Sequence, residues 1–268
     1  MFDVGANLAH DSFDSDREAV LQRAWDAGLE AIVITGSCAD SSRRALEIAR
    51  AHPGRLYATA GLHPHHASHW SDAHAALFRE LAQDPLLVSL GECGLDYFRD
   101  LSPRAAQRAA FEAQLELAAE LRRPLFLHQR DAHADFLEIL RRHRARLGAV
   151  CVHCFTDTRV AAHDYLALDC HIGVTGWICD ERRGRHLLEI VPHIPANRLL
   201  LETDAPYLLP RTVPRSVAPR DGRRNEPAYL PYVVRTVAAA RGESIETVAR
   251  NSAQAAREFF SLPTVASS

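Results

Sequence analysis

Four residues of metal-binding type each stand at the end of a short apolar run. LLVSLGE closes on Glu92, PLFLH on His128, AVCVH on His153 and LLLETD on Asp204. A polar group ending such a run is costly to bury without a partner. Strand alternation puts Glu202 and Asp204 on the same face, toward one interior. Two imidazoles with two carboxylates make a mixed nitrogen and oxygen set suited to zinc, manganese or magnesium, the carboxylates making magnesium tolerable. Such an ion polarises a phosphoryl or carbonyl oxygen and acidifies a water, which is hydrolase chemistry. Any one of these residues alone reads equally well as a hydrogen-bonded core group or a helix cap. Four at equivalent strand ends form a pattern.

The elements that must position them alternate along the chain. Strand-like runs fall at Phe2–Leu8, Ala31–Thr35, Tyr57–Leu62, Leu86–Glu92, Pro124–His128, Ala149–Phe155, Cys170–Thr175 and Arg198–Asp204. Helical patterns lie between them. Asp14–Ala27 ends at Gly28, a C-terminal cap residue, and Ser102-Pro103 offers an N-cap and first-turn proline for Ala105–Leu121. Asp131–Arg146, Thr158–Leu168 and Asp180–Ile190 fit the same role. Eight strand–helix units predict an α/β fold, a single-domain TIM-type (β/α)8 barrel whose open face is the C-terminal end of the strands. A doubly wound sheet is less suited, since no GxGxxG follows the first strand. A Pro/Arg-rich loop over Leu209–Pro227 leads to additional C-terminal helices near Leu230–Arg241 and Ile245–Phe260. One domain spans 1–260, and 261–268 reads as a frayed tail.

Composition narrows the chemistry. The 268 residues carry a net charge of −3, so no global basic field serves non-specific nucleic-acid binding. All 31 basic residues are Arg, which excludes Schiff-base, P-loop and carbamylated-lysine chemistry. Six cysteines, no basic-then-apolar leader in MFDVGANL and no span-length apolar run lead to the expectation of a cytoplasmic protein with reduced thiols and no membrane contact. Cys151-x-x-Cys154 lacks the second pair a zinc knuckle needs and reads as buried strand thiols. With no interface stripe in the sequence, a monomer is the default.

Longer motifs then carry a resemblance. GLHPHH (61–66), GECGLDYFRD (91–100), VHCFTDT (152–158), GVTGWICDERRG (173–184), ETDAPYLLP (202–210) and RRNEPAYLP (223–231) resemble the TatD family of metal-dependent deoxyribonucleases. The match runs from residue 1 to about 260. MFDVGANL and GWICDERRG are more similar to the family's eponymous member than to its paralogues. The resemblance implies a TIM-type barrel, a divalent cation with magnesium first, and 3′–5′ exonuclease or DNase activity, on single-stranded DNA with RNA left open as a second substrate, in DNA repair or nucleic-acid turnover. It places Glu92, His128, His153 and Asp204 on the family's metal-ligand positions, and His63 and Glu202 on further active-site positions.

The chain departs from the family at strand one. Gly5 and Asn7 stand where most members have His-x-His. One well-held cation on Glu92, His128 and His153 is therefore expected, with Asp204 completing the set or acting on its water. His10 is too far along to replace the pair. Gly5→His with Asn7→His would raise affinity for a second ion if residue 5 tolerates the bulk. In the expected mechanism Asp204, with Glu202 as second choice, takes the proton from the attacking water, and His63 donates to the phosphate or leaving oxygen. Arg211, Arg215, Arg220, Arg223 and Arg224 against Asp221 give residues 211–224 of the loop after strand eight a net charge of +4, placing a phosphate grip on the catalytic face. Glu226 pairs with one of these arginines. Tyr97, Phe98 and Trp177 follow strand ends, where rings stack bases. Two other classes share these features: a metal-dependent amidohydrolase or esterase on a non-nucleic-acid substrate, and a catalytically reduced binding protein.

Overall fold

The eight apolar runs become eight parallel strands in sequence order: β1 (Phe2–Ala6), β2 (Ala31–Ile34), β3 (Leu56–Ala60), β4 (Leu87–Asp96), β5 (Leu125–Arg130), β6 (Val150–Val152), β7 (Cys170–Val174) and β8 (Leu199–Leu201). The computed structural model describes residues 1–218 and 224–263. Helices α1 (Arg17–Asp26), α2 (Ala39–Ala51), α3 (Asp72–Leu81), α4 (Arg104–Leu121), α5 (His133–His143), α6 (Arg159–Ala167) and α7 (Arg185–Ile190) return the chain after each of the first seven strands. Then α8 (Leu230–Arg241) and α9 (Ile245–Phe259) follow β8. This is the expected TIM-type barrel with additional C-terminal helices.

Between β1 and β8, where no strand ladder forms among the described residues, the chain at and just past the strand ends meets through side chain as well as backbone. The Asp204 amide donates to Gly5 O at 2.8 Å and the Asn7 amide to Ala205 O at 2.6 Å. The buried Asp3 carboxylate accepts from the Thr203 amide at 2.9 Å and the Thr203 hydroxyl at 2.5 Å. These bonds satisfy backbone groups that would otherwise be orphaned at the seam.

The barrel interior is solid. Phe2, Val4, Ala31, Val33, Tyr57, Val88, Phe126, Cys151 and Leu200 fill it. The end of α9 plugs its base, with the Phe2 and Phe260 rings 6.0 Å apart and those of His171 and Phe259 4.9 Å apart. Leu262 packs on this cluster, while 264–268 and the loop residues 219–223, with Arg220 and Arg223, lie outside the described residues. Cys151 is one of the interior side chains, and all six cysteines are free thiols.

Four local expectations need correction. β6 stops at Val152 and β8 at Leu201, so His153, Glu202 and Asp204 lie past the regular strands, and strand alternation does not place Asp204, whose φ is +55°. Strand four does not stop at Glu92 but continues to Asp96. Its pairing with β5 slips at Gly91–Glu92, where Leu90 faces Leu125 but Cys93 faces Leu127. That bulge turns Glu92 inward and lets the strand go on. Ser102 is not the cap of α4: its hydroxyl donates to His65 O at 2.9 Å, and Pro103 precedes the first helical residue. Helix α7 starts at Arg185, not Asp180, because the Asp180 carboxylate caps the Arg182 and Arg183 amides in a turn of its own.

Candidate metal centre

Each inward row of side chains changes character at the same height. On β5, Phe126 is followed two residues on by His128; just past the ends of β6 and β8, His153 follows Cys151 and Glu202 follows Leu200 by the same two residues. The Phe126 ring lies 4.4 Å from that of His153 and forms the apolar floor of the site. Gly94, at φ +144°, lets β4 come close enough to β5 that a Cβ there would run into the His128 carbonyl. The polar set is thus stacked on a packed core at the open end of the strands, where such barrels carry their chemistry.

One oxygen is the focus. Glu92 Oε1 lies 2.7 Å from His153 Nε2, 2.9 Å from His128 Nδ1 and 3.3 Å from His63 Nε2. All four side chains are buried or nearly so. Burial alone would raise the Glu92 carboxyl, but His153, His63 and His128 outweigh it and hold it well below its ordinary value. Conversely, burial opposes the charge on His153, and Glu92 with Glu202 overcomes it, raising that imidazole well above its ordinary value. His128 is raised too, by Asp96 and Glu92 against its own desolvation. His63 goes the other way: burial pushes it down to about 4. Its Nδ1 accepts from the His65 amide at 3.1 Å, so in the neutral ring the proton is on Nε2, aimed at Glu92.

Asp96 completes the set, and neither it nor His65 was picked out as a site residue by the sequence. Asp96 Oδ2 stands 2.8 Å from His65 Nε2 and 3.3 Å from His128 Nε2. Burial would raise its carboxyl, but the two imidazoles and the Arg99 amide hold it well below the usual carboxylate range. The signal was in GECGLD, where Glu92, Gly94 and Asp96 recur with strand period.

Glu202 is wholly buried beside His153. Its Oε1 accepts from the Cys154 amide at 2.6 Å, and its Oε2 lies 3.4 Å from His153 Nδ1 without an aligned hydrogen bond. Asp204 is near enough to feel its charge, with Oδ1 accepting from Asn7 Nδ2 at 2.9 Å. Burial, helped by Glu92 and Glu202 and opposed by His153, pushes the Asp204 carboxyl up to about 7. Asn7 therefore acts here as a donor to Asp204. Gly5 cannot become His without disruption: a Cβ on it would lie 2.6 Å from Glu202 Oε2 and 2.8 Å from Phe126 Cζ. His10 does not join the cluster; its ring accepts from the Ser12 amide and caps a short turn.

These residues fit a divalent cation. Ligand atoms of His63, Glu92 and His128 all lie within 4.8 Å of one another. Among the described residues the buried side-chain atoms without a hydrogen-bond partner are His128 Nε2, His153 Nδ1, His171 Nδ1 and Glu202 Oε2. Three of those four belong to this site, and such orphans call for an ion, a water or a functional role.

The residues expected to hold substrate are more dispersed. Trp177 and Phe98 stand at the mouth, Phe98 being 55% exposed. Tyr97 donates its hydroxyl to Asp135 at 2.7 Å and lies under Arg104. Arg211 is engaged by Glu181 at 2.9 Å and Asp180 at 3.4 Å. Arg224 is tied down completely: it bonds Asp16 at 2.7 and 2.8 Å, Glu226 at 2.9 Å and Ser12 O at 2.7 Å. Glu226 also holds Arg23, so this network staples the β8–α8 loop to α1. Arg224→Ala is therefore expected to lower folding stability by about 2 kcal/mol, the scale of lost hydrogen bonds to charged groups. It should leave the salt dependence of nucleic-acid binding unchanged. Urea unfolding and a binding isotherm series over salt check both.

Comparison with known proteins agrees with this geometry. The TatD related DNase family profile matches residues 2–261. A Pantoea vagans protein named 3′-5′ ssDNA/RNA exonuclease TatD is 51% identical over 263 residues, covering 98% of this chain and 100% of its own. A Pectobacterium atrosepticum protein of the same name is 48% identical, with the same coverage. Among solved structures, the TatD homologue YJJV of Escherichia coli K12 superposes with a TM-score of 0.88 at 28% identity over 98% of both chains. A TatD family hydrolase from Entamoeba histolytica gives 0.85 at 25% identity over 97% of both. The barrel, the strand-end cluster and these matches together place this chain in the TatD related DNase family.

Proposed function

We propose that this protein is a divalent-cation-dependent hydrolase of phosphodiester bonds, a 3′–5′ exonuclease acting on single-stranded DNA and RNA. The observation that carries the reading is the convergence of His63, His128 and His153 on one oxygen of Glu92 at the open end of the barrel. The printed function of relatives about half identical over their whole length supports the substrate class. Glu92, His128 and His153 would hold the cation, with Asp204 at its edge. Magnesium is the first ion to test because of the surrounding carboxylates; the imidazoles keep manganese and zinc in contention. The ion supplies Lewis acidity toward a phosphoryl oxygen.

The protein's own groups do the rest. Asp204, with its carboxyl near neutrality and Asn7 fixing Oδ1, takes the proton of the attacking water on its other oxygen. His63, whose Nε2 proton points at Glu92 Oε1 in this structure, would donate it toward the phosphate or the leaving oxygen once that carboxylate oxygen is taken up by the cation. Glu202 keeps His153 oriented through its close approach to Nδ1. Six free thiols fit a reducing compartment, and we read the chain as a cytoplasmic monomer.

The deciding experiment follows a single-stranded oligonucleotide labelled at either end. Mononucleotides should leave from the 3′ end, chelator should stop the reaction, and magnesium or manganese should restore it. Absence of oligonucleotide hydrolysis with any of the three metals would overturn the reading.

A further inference from the structure

Arg130, the last residue of β5, follows Phe126 and His128 on the inner face of the barrel. Two strand residues advance about 7 Å, so its backbone stands one row above His128, nearer the mouth. Its guanidinium sits over the Phe98 ring at 4.1 Å from the centroid and 5.7 Å from that of Trp177. Its register partner on β4 is Asp96, yet that carboxylate is turned to His65 and His128. Among the described residues no carboxylate pairs with Arg130, whereas Arg211 and Arg224 are both paired.

A half-buried cation set over the Phe98 ring, with Trp177 shared between it and Arg183 and no carboxylate partner among the described residues, is a prepared anion site. Stacking uses the faces of the guanidinium and leaves its N–H edge free, in the geometry that meets a phosphate bidentately. Its height matters as well. A phosphate bound here would not be the one at the Glu92–His128–His153 cluster but a neighbour along the strand. We propose that Arg130 is a substrate-positioning residue that binds the phosphate adjacent to the scissile one, with Phe98 and Trp177 holding its guanidinium in place. This rests on the nuclease reading above.

Binding and cleavage test it separately. In chelator, anisotropy of a labelled oligothymidylate gives the dependence of affinity on salt. Losing one phosphate contact in Arg130→Gln should lower that slope by about 0.7, the single-strand value per contact. With metal present, KM should rise about 10-fold or more with kcat little changed, and Arg130→Lys should fall between. A single neutral methylphosphonate at the linkage next to the scissile one should impose the same KM penalty on the unmodified enzyme and add nothing in Arg130→Gln. An unmodified enzyme indifferent to the neutral linkage would overturn the proposal even if Arg130→Gln failed to fold, and so would an unchanged slope in a folded Arg130→Gln. Failure of the enzyme to cleave any oligonucleotide would instead sink the nuclease reading, with the slope still deciding whether Arg130 grips phosphate.

Discussion

Glu92→Gln should lower hydrolysis by about 10³-fold or more without unfolding the protein, an effect at the upper end of what removing one preorganised electrostatic group costs. The amide keeps the shape of the carboxylate but not its charge, and that charge is the partner of three imidazoles. His153→Ala and His128→Ala should be similarly silent, each removing a donor from the same centre. Full activity in any of the three would remove that residue from the site.

The same substitution has a pH signature in the metal-free protein. Glu92 is held below its ordinary 4.5, so its contribution to stability is present above that value and lost as pH falls through the lower folded one. His128 and His153 are raised above 6.5, so their contribution is present below that value and lost as pH rises through the folded ones. The two conditions overlap between 4.5 and 6.5. Denaturation in chelator should show the stability gap between Glu92→Gln and the unmodified protein widest in that window and narrowing on either side. A gap that does not change with pH would mean the cluster is not ionised as its geometry requires.

What the sequence disclosed and what it hid have physical reasons. Binary patterning located every strand, and polar residues ending apolar runs located Glu92, His128, His153, Glu202 and Asp204, because strand period and burial are local properties. The bulge at Gly91–Glu92 was invisible, since a slip of one residue against β5 is decided by backbone contacts between strands. Asp96 and His65 were missed with it. The arginines of the β8–α8 loop looked alike by charge, but Arg224 is committed to Asp16, the residue that precedes α1, more than 200 residues away in sequence. Arg130, which has no carboxylate partner among the described residues, gave no local sign of it. Which charge is free is settled only by tertiary packing.

Gly5 shows how far a motif can be carried back. Reading strand one as a lost pair suggests that Gly5→His with Asn7→His would restore a cation site. The structure predicts the opposite. The space beyond Gly5 is filled by Glu202 Oε2 and Phe126 Cζ, at 2.6 and 2.8 Å from where a Cβ would stand. Glu202 has little room to retreat, since its other oxygen is bound by the Cys154 amide and a Cβ on Gly173 would meet that oxygen at 2.6 Å. Phe126 is the floor under His153. Even Gly5→Ala should therefore cost about 3 kcal/mol, at the high end for overpacking a well-filled core. It should also cost activity of order 10²-fold, because the side chains that must move are those that orient His153. Gly5→His should yield no folded barrel. The cause is separable: in a Glu202→Ala background Gly5→Ala should cost less than it does alone, by about 1 kcal/mol or more of coupling, the range expected for residues in contact. Strict additivity, or a Gly5→His variant that folds and binds a second ion tightly, would show that the space at residue 5 is not held by Glu202.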